Sequence, residues 1–212
     1  MFAMHEDDPR LVELGRKFDG GRIELVLAER RLIDTEAFLN LVRVDVTFED
    51  YSSDRFLRRL LARIEAQDGR KGGRLSKLVF PDGLSDITKR QGDAQVEKMR
   101  ALEARLATIQ DWDDALNQMA ALIVRRTRYE SALAQRLTAE RQVVTERANR
   151  DGTKERFLDL YAEIAAQVRS MFPRDKRTQD LFFDDLSPRS RRYAGEPDGE
   201  LPDEPADDDE TP

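Results

Sequence analysis

Few of the 212 residues belong to the types that carry covalent, acid–base or metal chemistry. His5 is the sole histidine and cysteine is absent. Imidazole catalysis, thiol redox chemistry, disulfides and His/Cys zinc sites therefore have almost no donors to draw on. A Ser-His-Asp relay would have to recruit His5, and no G-x-S-x-G elbow exists to present the serine. The phosphate-cradling patterns G-x-G-x-x-G and G-x-x-x-x-G-K-[ST] do not occur. A helical di-metal site usually needs Glu-x-x-His pairs, and none is present; Glu97 and Glu103 stand among many other charges. The expectation is a protein that is not an enzyme, with no catalytic residue, no metal ligand and no cofactor.

Binding chemistry is better supplied. Residues 53–77 carry eight basic side chains against three acidic ones, and residues 125–156 carry nine against five. Arg55, Arg59, Arg70, Lys71 and Arg74 are the candidate phosphate contacts, the last three from the Gly69–Arg74 loop. Aromatic residues do not interleave with either patch, which weakens a nucleic-acid reading. Apolar candidates for contact with a protein partner are Leu116, Met119 and Ile123, and further along Leu181, Phe182 and Phe183 in a polar stretch.

Charge divides the chain. The net charge is −7, but residues 195–212 contain nine acidic residues and no basic one, so the remainder is close to neutral. That tail, with four prolines and one leucine, lacks the apolar surface to offset its ordering entropy and is expected to be disordered. It could compete with nucleic acid for the basic faces. Acidic residues follow Met1 where a secretory signal needs a basic start and an apolar run, and no stretch approaches the ~18 apolar residues of a membrane span. A cytoplasmic protein with no membrane partner is the expectation.

The elements that must position these groups read mainly as helices. Residues 1–50 predict a small mixed α+β segment, with short helices over 22–33 and 35–42, the second capped by Asp34, as the alternative. Asp19-Gly20-Gly21 lies between apolar stretches as a hairpin turn would, and Val42, Val44, Val46 and Phe48 alternate with polar residues as in a half-buried strand. From residue 53, Phe56, Leu57, Leu60, Leu61 and Ile64 share one helical face, and Gly69 can supply the left-handed residue beyond the helix end. Asp93 to Arg150 holds neither glycine nor proline and predicts one very long helix, or two if Asp111-Trp112-Asp113-Asp114 breaks it. Asn149-Arg150-Asp151-Gly152-Thr153 predicts a turn into a last helix that ends at Phe172-Pro173.

The organisation expected is thus a mixed segment over 1–50, an antiparallel helical hairpin or bundle over 51–173, a linker with an apolar docking candidate over 174–194, and the acidic tail over 195–212. A stripe longer than its own helices can cover points to a non-catalytic scaffold or adaptor, meeting a protein partner or a second copy of itself. The alternative is a nucleic-acid-associated protein that uses the basic helical surfaces.

Overall fold

The computed structural model describes residues 8–182; His5, Phe183 and the acidic tail lie outside the described residues. Every regular element described is a helix: α1 (Pro9–Asp68), α2 (Arg74–Val79), α3 (Ser85–Thr88), α4 (Asp93–Ala107), α5 (Ala115–Met171) and α6 (Lys176–Phe182). The chain forms two compact units, one of residues 1–21 with 158–212 and one of residues 22–157.

The protein is mainly α, as its composition implies, but the mixed α+β segment over 1–50 is not what forms. Residues 9–68 are a single helix, and Gly20 and Gly21 lie inside it. The apparent strand has a helical origin. Val42 and Val46, four residues apart, are buried, whereas Val44 and Phe48, also four apart, are exposed. Two residues turn an α-helix by about 200°. Two apolar stripes on opposite sides of one helix therefore mimic the alternation of a strand. The weak helix preference of valine and threonine costs only a few tenths of a kcal/mol per residue, which packing readily outweighs.

In the unit of residues 22–157, α1 and α5 run antiparallel. Glu29 pairs with Arg150 (3.6 Å), Glu36 with Arg147 (2.8 Å) and Arg63 with Asp114 (3.7 Å), so the α5 number falls as the α1 number rises. The buried α1 residues Ala28, Leu32, Thr35, Leu39, Val42 and Val46 alternate steps of four and three, the repeat of a coiled-coil seam. Opposite them lie Tyr129, Ala132, Ala139 and Val143; Leu32 and Leu39 pack on Ala139 and Val143, and Val46 on Tyr129 and Ala132.

A broader core lies where α1 ends. Leu57, Leu60 and Ile64 of α1, Met99, Leu102 and Leu106 of α4 and Leu122 of α5 form it, closed by Leu75, Val79, Phe80 and Ile87 from the α2–α3 region and by Trp112. Gly69 ends α1 at φ +66°, the left-handed conformation expected of it. Asp68 then reaches forward as the cap of α2. Its carboxylate accepts hydrogen bonds from the backbone N–H groups of Leu75 (3.0 Å) and Ser76 (2.9 Å) and from Ser76 Oγ (3.0 Å). Gly73 is needed at this crossing, because a Cβ there would lie 2.4 Å from Asp68 Cγ.

The break at 108–114 resolves the alternative between one long helix and two. α4 and α5 are separate and antiparallel, with Arg100 on Glu130 (2.6 Å) and Glu103 on Arg126 (2.7 Å). The turn expected at 149–153 does not form, and α5 continues through it to Met171. Thr153, buried, donates its hydroxyl to the Asn149 carbonyl within the helix (2.8 Å) instead of capping a new one. The stretch that covers this part of α5 is residues 22–50 of α1, so no returning helix is required.

In the unit of residues 1–21 and 158–212, Leu11 and Leu14 of α1 pack on Ile164 and Val168 of α5. Phe172 and Phe182 stack on each other at 6.2 Å between ring centroids, which holds α6 on this core. Asp175 starts α6 by accepting from the backbone N–H (3.0 Å) and hydroxyl (2.6 Å) of Thr178.

Candidate interaction surface

Three places in the residue 22–157 unit gather functional side chains: a polar clamp between α4 and α5, a cleft beside Tyr129, and the outer face of α1. The clamp is centred on Arg126. Its Nε donates to Glu103 Oε1 and its Nη1 to Glu130 Oε2, both at 2.7 Å, while Arg100 donates to the other Glu130 oxygen at 2.6 Å. The hydrogen bond to Glu103 raises the Arg126 pKa; burial opposes it, and the bond to Glu130 adds to the rise. With every charge matched, this group fixes α4 on α5 and offers nothing to a ligand.

The cleft, about 320 Å³, is lined by Arg43, Asp50, Gly92, Tyr129, Arg136 and Glu140 among others. The buried Tyr129 hydroxyl accepts from the Gly92 N–H at 2.8 Å, with Gly92 at φ +64°. Burial raises the Tyr129 pKa; the Gly92 hydrogen bond works against this and the Asp50 carboxylate adds to it. A phenol held neutral and already engaged in structure is no base or nucleophile at neutral pH. Among the described residues no group of three or more His, Asp or Glu side chains is placed to hold a metal ion.

The outer face of α1 is apolar and open. Leu41, Val44, Phe48 and Tyr51 are 66, 65, 62 and 61% exposed, and Ile23, Val26, Leu27, Ile33 and Phe38 are exposed alongside them. Each of Leu41, Val44, Phe48 and Tyr51 lies two positions beyond a residue of the inner repeat, Leu39, Val42, Val46 and Glu49. The stripe therefore keeps coiled-coil spacing on the side of α1 away from α5. α5 has a thinner outer stripe. Leu116, Ile123, Leu137 and Val144 are exposed at intervals of seven or fourteen.

The residues singled out from the sequence are placed as follows. Leu116 and Ile123 are exposed, whereas Met119 is partly buried against the core of Leu57 and Leu102. The break before α5 shifts the helical phase, so Ala115, Gln118 and Leu122 turn inward in their stead. Phe182 packs in the core of the other unit, Leu181 lies in α6, and Phe183 is outside the described residues. Arg55 and Arg59 are exposed on α1, and Arg70 and Lys71 are exposed in the loop after it, with no ion pair among the described residues. Arg74 is paired with Asp111. Four of the nine basic residues of the second patch, Arg126, Arg136, Arg147 and Arg150, have a carboxylate partner within the fold.

Sequence reading missed the outer face of α1, although the signal was present in the alternation of Val42, Val44, Val46 and Phe48. No helix among the described residues is long and apolar enough to cross a membrane. No family model matches the chain, and no curated protein or solved structure matches it either.

Proposed function

We propose that the chain is a non-catalytic helical scaffold or adaptor, which works through helix–helix contacts made by the outer face of α1. The observation that carries this reading is the open repeat of Leu41, Val44, Phe48 and Tyr51, each more than 60% exposed. With an aromatic side chain presenting roughly 150–250 Å², the nine apolar side chains from Ile23 to Tyr51 expose on the order of 900 Å² in total, interrupted by Arg30 and Asp34. Residues that stabilise nothing within the chain gain their use from a second surface. The test replaces Leu41 and Phe48 by Lys together. The variant is expected to keep the helical circular dichroism of the parent and a cooperative thermal transition while losing association. A collapse of the midpoint would mean that the chain covers this face itself, and the reading would fail.

A second reading, association with nucleic acid, is favoured by the unpaired group of Arg55, Arg59, Arg70 and Lys71 around the end of α1. It requires binding of duplex DNA or RNA that weakens linearly with the logarithm of salt concentration. Unchanged fluorescence anisotropy of a labelled duplex at low salt would dismiss it.

A further inference from the structure

We infer that the occupant of the outer α1 face is a second copy of this chain, bound antiparallel about a two-fold axis at the level of Leu39. This inference rests on the scaffold reading and names its partner. Two features support it. The first is extent: an exposed face on the order of 900 Å² per copy matches the roughly 800 Å² per partner of a stable interface.

The second is charge. The charged residues on and beside the stripe are Glu24, Arg30, Arg31, Asp34, Asp45 and Arg55. Parallel self-pairing on this repeat would stack Arg30 on Arg30 and Asp34 on Asp34, like charges in adjacent layers. The antiparallel arrangement about Leu39 separates them. It sets Arg31 of each copy beside Asp45 of the other, an edge pair of opposite sign that occurs twice, while Glu24 faces Ser52 and Arg55 falls on the stripe opposite Ile23. In the layers between, Leu41 meets Ala37, Tyr51 meets Leu27, and Phe48 meets Arg30, a guanidinium against an aromatic ring. Asp34 meets Val44 and stays one helical turn from Arg30 of its own chain. Phe38 meets Phe38 at the axis. A register centred one heptad later would oppose Asp45 to Asp45, so charge selects the alignment as well as the direction.

The absence of native cysteine makes the test direct. Full-length protein is sized by light scattering, and single-cysteine variants are treated with a short bismaleimide. The expected mass is twice 24.4 kDa. Asn40→Cys, near the axis, is expected to cross-link to itself, and Val26→Cys is not. Arg31→Asp and Asp45→Arg are each expected to weaken the dimer by about fivefold, and the double variant to restore it. A dimer in which Val26→Cys links, or in which Asn40→Cys does not, would overturn the antiparallel alignment. A monomer at all concentrations would overturn the inference. If the Leu41→Lys/Phe48→Lys variant of that monomer keeps its thermal midpoint, the face is free for a different protein and the scaffold reading survives. If the midpoint collapses, both fall together.

Discussion

Replacing Arg126 by Met tests how the α4–α5 pair is held. Arg126 and Glu103 keep only 15% and 14% of their side-chain surface, and Glu130 keeps 27%. Removal of the guanidinium strands the Glu103 carboxylate and leaves Glu130 with Arg100 alone. Breaking a fully buried pair costs about 3–5 kcal/mol; partial exposure lowers that to about 2–4 kcal/mol. For a urea slope of about 2 kcal/mol/M, the unfolding midpoint should fall by about 1–2 M. The penalty comes from the stranded carboxylates and not from loss of net attraction. The triple variant Arg126→Met/Glu103→Leu/Glu130→Gln should therefore recover most of the loss. Urea unfolding followed by far-ultraviolet circular dichroism measures both. A midpoint shift under about 0.5 M for Arg126→Met, or a triple variant weaker than the single one, would refute this account of the clamp.

Gly73→Ala should lower the thermal midpoint by several degrees, because the new Cβ displaces the Asp68 carboxylate that caps α2. Tyr129→Phe should cost about 1–3 kcal/mol in urea unfolding, since the Gly92 N–H loses its acceptor. Burial raises the Asp54 pKa, with Asp50 adding to the rise against Arg58 and Gln95. Its contribution to stability is therefore present when the carboxyl is protonated and is lost as pH rises through its folded-state pKa. Asp54→Asn should accordingly raise the urea midpoint at pH 7 and bring no gain in acid below the ordinary carboxylate range. Asp86 behaves in the opposite sense. Hydrogen bonds from Lys98 and Arg90 lower its pKa, so its contribution is present above the ordinary carboxylate range and fades as pH falls through the folded-state value. Asp86→Asn should lower the midpoint at pH 7 and converge with the parent in strong acid.

Local rules were enough to read the chain wherever one helical face carried the apolar residues. Leu57, Leu60 and Ile64 followed by Gly69 placed the end of α1, because a single stripe and a left-handed glycine are local signals, whereas Asp111 to Asp114 left one helix and two equally open until α4 was seen packed back on α5. The absence of cysteine and the lone His5 bounded the chemistry equally directly. Packing alone decided the rest. Val42 and Val46 become helical because Tyr129 and Ala132 lie across from Val46, at a separation in sequence that no local pattern encodes. Val44 and Phe48 are then carried to the opposite side of the same helix, and two stripes half a turn apart present the alternation of a strand. Gly152 and Thr153 resemble a turn until Arg150 is seen paired with Glu29, which holds α5 against α1 through that point. Composition and local periodicity determined that the chain is helical, because they report what each segment can bury. Which stripe is buried, and which is left exposed, was settled only by the tertiary structure, because burial depends on what lies opposite.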